Sequence, residues 1–224
     1  MYALDLAAFA ATPLIRQPFE YLIVPSFIRA EARAAINADF PNIETPGSFP
    51  ISQLTFGPAF RSLINALQGP EVGRAFAEKF QIDLNNRPTM VTVRGRCGTR
   101  DGNIHTDTSS KIITALVYMN SKWEQSGGRL RLLRSPQDID DIVVEIPPTE
   151  GTLVAFRRSE NSFHGHKPFI GARRVIQLNW VTGRSIEFRE LFKHRASAWL
   201  KRLVALSRHS FSSTSDEKSL VRNR

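Results

Sequence analysis

Two histidines and an aspartate stand in a pattern that could hold one metal ion. His105 and Asp107 are separated by a single residue, and His164 follows 59 positions after His105. Alternate residues of an extended chain project to the same side, so the His105 imidazole and the Asp107 carboxylate can reach one ion together. Two histidines and one carboxylate form the facial triad of non-haem iron(II) sites, which leaves metal positions open for a cosubstrate and oxygen. The alternative interpretation of His105 and Asp107 is a polar pair in a surface loop.

An arginine downstream of the second histidine adds a possible anion partner. Arg174 lies ten positions after His164, inside an otherwise apolar stretch that runs to Trp180. Period-two alternation places Arg174 on the same strand face as Ile176 and Trp180. A guanidinium among apolar side chains requires an anionic partner, and a carboxylate matches its forked geometry. The pattern therefore predicts a carboxylate-binding arginine near the metal.

The chain changes character near residue 89, and this change indicates how the candidate ligands are positioned. Residues 28–40 and 58–80 carry apolar residues at helical spacing, separated by a loop at 41–50. Short β-rich runs follow at 89–93, 111–119, 128–133, 142–146, 152–156 and 173–181. Helical spacing returns at 185–206 in a basic amphipathic stretch, and the Ser- and Arg-rich residues 207–224 read as a disordered tail.

Six or more short strands with turn signals favour a sandwich or barrel, and a jelly roll is one closed solution of this size. The motifs within these runs resemble the prolyl-4-hydroxylase-like branch of the 2-oxoglutarate/Fe(II) oxygenases over about residues 90–181. They read, in order, His105-Thr-Asp107, Tyr118-Met-Asn120, Trp123, Gly127-Gly-Arg-Leu130, Pro148-Thr-Glu-Gly151, Leu153-Val-Ala-Phe156, His164-Gly-His-Lys-Pro168, Gly171-Ala-Arg-Arg174 and Trp180.

The resemblance implies an α+β fold, a double-stranded β-helix (jelly roll) with N-terminal helices packed on it. The domain would span residues 1–184, helical over 1–88 and jelly roll over 89–184, followed by the amphipathic helix 185–206 and the tail 207–224. It implies iron(II) on His105, Asp107 and His164, and 2-oxoglutarate held by Arg174 and Tyr118. Oxygen completes the expected cofactor set, with ascorbate as a candidate addition. The implied reaction hydroxylates an unactivated C–H bond and converts 2-oxoglutarate to succinate and CO2.

Three departures from the family pattern leave alternatives open. His166 stands where the family usually has Val, so it competes with His164 as a ligand, and the spacing to the arginine favours His164. Arg173 competes with Arg174, and Arg174 is preferred because it shares strand parity with Trp180. Arg94 and Arg96 stand where the family often has Tyr, and they could bind an anionic substrate or be solvated.

Composition limits the function classes further. The net charge is +9, but residues 181–224 hold ten basic and four acidic residues, so the basic character belongs mainly to the C-terminal stretch. Nucleic-acid binding is therefore disfavoured for the main domain. Cys97 is the single cysteine, which excludes an internal disulfide and a cysteine cluster that holds zinc or an iron–sulfur centre. The N-terminus lacks the basic opening of a secretory signal, so we expect a cytoplasmic protein.

The expected partner is a small-molecule or peptide substrate, with a prolyl residue or an amino acid as candidates, and the sequence does not indicate an oligomeric state. Peripheral contact with an anionic membrane through 185–206 is a further hypothesis, set against a helix that docks on the jelly roll. Two other functions stay open: a cupin-like metal enzyme that does not activate oxygen, and a non-catalytic jelly-roll binding module recruited by its basic tail.

Overall fold

The computed structural model describes residues 3–183. The predicted helix 185–206 and the predicted tail 207–224 lie outside the described residues, and the domain boundaries stay a prediction. None of the helices found between residues 3 and 183 has the length and apolar character needed to span a bilayer.

The N-terminal part is mainly helical, as the spacing of its apolar residues predicts. Its helices are α1 (Leu6–Ala11), α2 (Ala30–Ala38), α3 (Pro58–Leu67) and α4 (Pro70–Phe80), with a short 3₁₀ turn at Ile51–Gln53. The continuous helix expected over 58–80 is two helices. Gly69 is extended, and Pro70 begins α4 where a missing N–H is tolerated.

A carboxylate from one helix begins the next. Asp39 follows α2, and its side chain accepts the backbone N–H of Ala59 at 2.6 Å. Its carbonyl accepts the Gly57 N–H at 3.1 Å. A Cβ atom at Gly57 would lie 2.2 Å from the Asp39 side chain, so a glycine is required there. Asp39 therefore satisfies N–H groups at the start of α3 and fixes its direction relative to α2.

The remaining elements are strands: β1 (Tyr21–Val24), β2 (Phe49–Pro50), β3 (Thr89–Cys97), β4 (Lys111–Tyr118), β5 (Leu130–Leu133), β6 (Ile142–Ile146), β7 (Leu153–Arg157), β8 (His164–Gly165) and β9 (Gly171–Val181). They form a six-stranded sheet in the order β1-β7-β4-β9-β3-β2 and a three-stranded sheet in the order β6-β5-β8. The named strands pair antiparallel. The predicted mixture of helices with an antiparallel sheet is confirmed, whereas β1, β2 and β8 were not predicted.

The large sheet buries a different core on each face because side chains alternate along its strands. On β9, Ile176, Leu178 and Trp180 pack into the core that includes the helices. Val175, on the opposite face, packs with Leu130 and Leu132 of the small sheet. The helices therefore cover the outer face, and the inner face is turned towards the small sheet.

Aromatic rings join the helical layer to the outer face of the sheet. Phe76 of α4 lies 4.7 Å from Trp180 of β9 and 4.6 Å from Phe9 of α1, measured between ring centroids. All three rings are buried. This stack anchors α4 behind the strand whose inner face lines the candidate site.

Candidate active site

Backbone pairing brings the two predicted histidine ligands together. His105 and His164 form an isolated antiparallel bridge in which each N–H donates to the other residue's carbonyl at 3.0 Å. Directly opposed residues of this kind present their side chains next to each other. The two imidazole centroids are 4.3 Å apart. The bridge therefore joins the loop after β3 to β8 at the position of the candidate site.

Asp107 completes a three-residue cluster. Within the described residues, His105, Asp107 and His164 each offer a ligand atom, and these atoms lie within 4.8 Å of one another. Asp107 and His164 are buried, whereas His105 is exposed on one side. Two imidazole nitrogens and one carboxylate suit iron(II), which accepts this mixed nitrogen and oxygen donor set. The structure thus brings together the three residues that the sequence nominated, and their role as ligands is a proposal.

Carbonyl oxygens orient both imidazole rings. The Nδ1 atom of His105 lies 2.8 Å from the carbonyl of Asn103, and Nδ1 of His164 lies 2.9 Å from the carbonyl of Ser162. A carbonyl can only accept, so each Nδ1 carries the hydrogen and each Nε2 keeps a lone pair. Both rings are therefore held in the tautomer that offers Nε2 to a metal.

The ionisation state of the cluster also suits metal binding. Burial lowers the pKa of His164 to about 4, so this imidazole is neutral at pH 7. Burial alone would raise the pKa of the Asp107 carboxyl, but the Lys111 ammonium, together with hydrogen bonds from Lys111 and Thr114, holds it below its ordinary value. Neutral imidazole and ionised carboxylate are the forms that coordinate metals.

The cluster lies in a cavity of about 250 Å³ between the two sheets. The lining combines polar and charged groups with a few apolar side chains, namely Ser48, Thr92, Arg94, Gly102, His105, Asp107, Lys111, Thr114, Leu116, Leu130, His164, Gly165, His166, Arg173, Val175 and Gln177. The charged residues of this lining include three Lys or Arg but only one carboxylate, so the cavity favours anionic ligands.

Of the two neighbouring arginines on β9, Arg173 lines this cavity, and the expected placement of Arg174 is corrected. Arg173 is buried, donates from Nε to the carbonyl of Gly128 at 2.8 Å, and places Nη2 3.5 Å from the Tyr118 hydroxyl. Arg174 points to the opposite face, where Nη1 lies 3.4 Å from the carbonyl of Asn37 and the guanidinium covers the Phe40 ring.

The parity argument failed because β9 has two buried faces. Arg174 does share the face of Trp180, but that face packs against the helices. The cavity side carries Arg173, Val175 and Gln177. We therefore propose that Arg173, and not Arg174, binds the anion.

Tyr118 contacts Arg173 but is not itself among the residues that line the cavity. The side chain is fully buried and its ring faces the Arg173 guanidinium, which is 5.3 Å from the ring centroid. Burial raises the pKa of the Tyr118 hydroxyl, so it stays protonated and can donate a hydrogen bond. A guanidinium with a neighbouring hydroxyl makes a suitable receptor for a carboxylate, and this stays a proposal for Arg173 and Tyr118.

His166 lines the cavity outside the three-residue cluster. Its backbone N–H donates to the carbonyl of Gly102 at 2.9 Å. Its ring lies where a Cβ atom at Gly102 would come within 2.5 Å of Nδ1, and Gly102 has a φ of 99°. Burial and the nearby Arg173 lower the pKa of His166 to about 4. This position agrees with the interpretation of His166 as a pocket residue.

Arg94, the other arginine of the lining, is part of the wall. It forms an ion pair with Asp101 at 2.7 Å and donates to the Ser48 hydroxyl at 3.3 Å. Of the two sequence interpretations of Arg94, the structure favours contact with the cavity over full solvation.

Four residues around Asp107 were not singled out from the sequence. The ammonium of Lys111 lies 2.6 Å from Asp107 Oδ1, and the Thr114 hydroxyl donates to Oδ2. Asn179 and Gln177 stand behind Thr114. The sequence signal that could have identified Thr114 and Asn179 is a polar side chain inside a strongly apolar strand, because a buried polar group needs a hydrogen-bond partner.

Comparison with known proteins agrees with this geometry. Residues 95–182 match the sequence profile of the 2OG-Fe(II) oxygenase superfamily. These residues contain the three candidate ligands, Tyr118 and Arg173. The match supports the resemblance drawn from the sequence motifs, and residues 95–182 are hereafter the matched segment.

Solved structures with a similar fold align with more of the chain than residues 95–182 alone. A prolyl-4-hydroxylase from Pseudomonas putida aligns with a TM-score of 0.56 at 17% identity, covering 80% of this chain and 94% of that one. A Phytophthora capsici prolyl 4-hydroxylase structure aligns with a TM-score of 0.53 at 15% identity, covering 91% and 76%.

A third structure, an oxidoreductase of the 2OG-Fe(II) oxygenase family from Burkholderia pseudomallei, has a TM-score of 0.52 at 15% identity and covers 79% of this chain and 89% of that one. At these identities the likeness concerns the fold, and it confirms the predicted jelly roll with packed helices. No curated protein sequence gives a significant match to the chain.

Proposed function

We propose that this protein is an iron(II)- and 2-oxoglutarate-dependent dioxygenase that hydroxylates an unactivated C–H bond. His105, Asp107 and His164 would hold the iron(II), Arg173 would pair with the distal carboxylate of 2-oxoglutarate, and the Tyr118 hydroxyl would donate to the same carboxylate. The observation that carries the proposal is that the three-residue cluster and Arg173, whose guanidinium contacts the Tyr118 hydroxyl, line one cavity of about 250 Å³.

When bound, iron(II) and 2-oxoglutarate supply oxygen activation coupled to decarboxylation to succinate and CO2. The protein's own residues would bind and orient these groups and shield the reacting atoms from water. The Nδ1–H···O=C bonds fix the two imidazoles, and the lowered pKa of Asp107 keeps its carboxylate ionised. Leu116, Leu130 and Val175 line the cavity beside these polar groups and reduce access of water to the reacting atoms.

The substrate proposal is a small molecule or a peptide residue. A prolyl residue is the first to test, because two of the solved structures with this fold are of prolyl 4-hydroxylases. The positively charged lining makes an anionic small molecule the next class to test.

The experiment is an anaerobic titration of the full chain with iron(II) and then 2-oxoglutarate, followed by addition of oxygen. We expect the visible charge-transfer band of the chelate, and slow succinate formation without added substrate. His105→Ala and Asp107→Ala should remove both signals. Metal binding without the band would favour a cupin-like enzyme, and absence of metal binding would favour a non-catalytic module.

A further inference from the structure

A row of hydrogen-bonded polar side chains lies behind Asp107, on the inner face of the large sheet, and two of them, Thr114 and Asn179, are buried. Gln177 and Asn179 are alternate residues of β9, and Thr114 of β4 stands opposite Asn179 in the register of the two strands. Gln177 Nε2 donates to Asn179 Oδ1 at 2.9 Å, and Asn179 Nδ2 donates to Thr114 Oγ1 at 2.7 Å. The Thr114 hydroxyl in turn donates to Asp107 Oδ2.

The direction of these hydrogen bonds follows from the chemistry of the groups. An ionised carboxylate only accepts, so Thr114 must use its single hydroxyl hydrogen on Asp107. Thr114 can then only accept from its other neighbour, so Asn179 must turn its NH2 group towards the hydroxyl. The carbonyl oxygen of Asn179 then faces Gln177, which must donate. One arrangement satisfies all the groups, and every donor in it points towards Asp107.

Burial of these polar groups costs free energy, which indicates a role beyond packing. The Asn179 side chain is completely buried and Thr114 is 2% exposed. Burying an amide or a hydroxyl is unfavourable unless it is hydrogen-bonded, and apolar side chains of similar size would fill the same space without that requirement. The burial of Thr114 and Asn179 fixes a hydrogen-bond donor against one carboxylate oxygen of Asp107.

The two oxygens of Asp107 are therefore held in different ways. Oδ2 meets a hydroxyl on a short side chain of a central strand, itself held by the buried Asn179. Oδ1 meets the ammonium of Lys111 at 2.6 Å, at the end of a flexible four-carbon side chain. Oδ1 can consequently become available to a metal by movement of Lys111, whereas Oδ2 stays engaged.

We propose that Thr114 and Asn179 are positioning residues that engage Oδ2 of Asp107 and so present Oδ1 alone to the metal. The proposal rests on the assignment of Asp107 as a metal ligand in the proposed function. Coordination through one oxygen leaves a further metal position open, as a site that must also take a bidentate cosubstrate and oxygen requires.

The test is a Co(II) titration of the full-length metal-free protein, followed by visible absorption and paired with thermal unfolding of the same metal-free samples. Thr114→Val keeps the shape and removes the hydroxyl, and Thr114→Ser restores the hydroxyl. Thr92→Val is the matched control, because Thr92 is also 2% exposed and lines the same cavity from β3. Asn179→Leu removes the next donor along the row.

We expect Thr114→Val to weaken Co(II) binding by about 10- to 100-fold, the usual effect of losing a hydrogen bond to a ligand, and to change the Co(II) spectrum. Asn179→Leu should act in the same direction, and Thr114→Ser and Thr92→Val should resemble wild type. Wild-type affinity and spectrum in Thr114→Val would overturn the proposal, as would equal losses in Thr114→Val and Thr92→Val.

A His105→Ala sample separates this proposal from the proposed function. Loss of Co(II) binding in His105→Ala, with wild-type binding in Thr114→Val, overturns the positioning role and leaves the metal site standing. Equal binding by wild type and His105→Ala overturns the metal site, and the positioning role falls with it. Where Asn179→Leu does not fold, the comparison of Val, Ser and Thr at position 114 decides the result.

Discussion

Replacing Arg173 tests its proposed role as the residue that pairs with the distal carboxylate of 2-oxoglutarate. Arg173 is 5% exposed, and its Nη2 lies 3.5 Å from the Tyr118 hydroxyl, so an anion that contacts the guanidinium would be bound in a nearly dry site. Arg173→Ala removes the guanidinium and leaves the distal carboxylate of 2-oxoglutarate with the Tyr118 hydroxyl. Arg174→Ala removes a neighbouring positive charge that lies on the helix side of the same strand.

The expected size follows from the burial of the pair. Truncating one partner of a buried, hydrogen-bonded charge pair weakens binding by about 2–5 kcal/mol, which corresponds to roughly 30-fold to several thousand-fold in affinity. The upper part of that range applies only if the site is dry, so the 5% exposure of Arg173 favours a large loss. Arg174→Ala should leave the 2-oxoglutarate affinity within a few-fold of wild type, because it contacts Asn37 and Phe40 outside the cavity.

The assay is anaerobic titration of the iron(II)-loaded protein with 2-oxoglutarate, read from the charge-transfer absorption. Arg173→Lys is the control for folding and charge, since a lysine keeps the cation but loses the forked geometry, and it should fall between wild type and Arg173→Ala. Thermal unfolding of each metal-free variant separates lost binding from lost structure. Equal effects of Arg173→Ala and Arg174→Ala, or a larger effect of Arg174→Ala, would refute the reasoning.

Three further predictions rest on the structure, and a fourth rests on the charge of residues 185–206 in the sequence. His164→Ala should abolish iron(II) binding, whereas His166→Ala should retain most of it, because only His164 belongs to the cluster; isothermal titration would show the ranking, and the reverse order would contradict it. Metal-free protein should lose stability as the pH falls from 6.5 towards 4, by about 3 kcal/mol from His164 alone, because the unfolded chain binds a proton there that the folded chain excludes; urea unfolding curves that do not change over this range would disprove it. Phe76→Ala should lower the free energy of unfolding by about 3–5 kcal/mol, measured by urea denaturation, since the ring is 1% exposed between Phe9 and Trp180; a loss below 1 kcal/mol would be incompatible with that packing. The full chain should sediment with anionic vesicles at low salt and be released as salt rises, through the basic residues of 185–206, because salt screens exposed charges over about 10 Å at 0.1 M; absence of binding at low salt would remove the membrane hypothesis.

The fold could be predicted from the sequence as far as local patterns report it. Helical spacing located α2, α3 and α4, and β-rich runs located the long strands, because each of these elements has a continuous apolar face. The short strands β2 and β8 have two residues each and give no periodic signal. They exist through pairing with β3 and β5, which is a tertiary effect. The sequence contains the Gly69–Pro70 pair that separates α3 from α4, but the helical spacing on both sides of it led to the prediction of one helix.

The candidate site was predictable where spacing along one strand or loop decides it. His105 and Asp107 are close in sequence, and their shared direction follows from two-residue alternation. His164 was found through motif order, and the structure supplies the physical link, a backbone bridge to His105 that no local pattern encodes. The partners of Asp107 on β4 and β9 were missed for the same reason, since the register Thr114↔Asn179 is set by the sheet.

The error at Arg174 shows why apolar neighbours do not identify the functional face of a strand. In a domain with one core, an arginine aligned with Ile176, Leu178 and Trp180 would point into the centre of the molecule. Here the helices build a second core on the outer face, so the most apolar side of β9 is the side away from the chemistry. The inner face carries Arg173, Gln177 and Asn179, and its mixed polarity is what a ligand-binding cavity requires. In a sheet covered on both faces, the strand side with buried polar residues at alternate positions is therefore the better predictor of the site, because each such residue needs a partner that an apolar core does not supply.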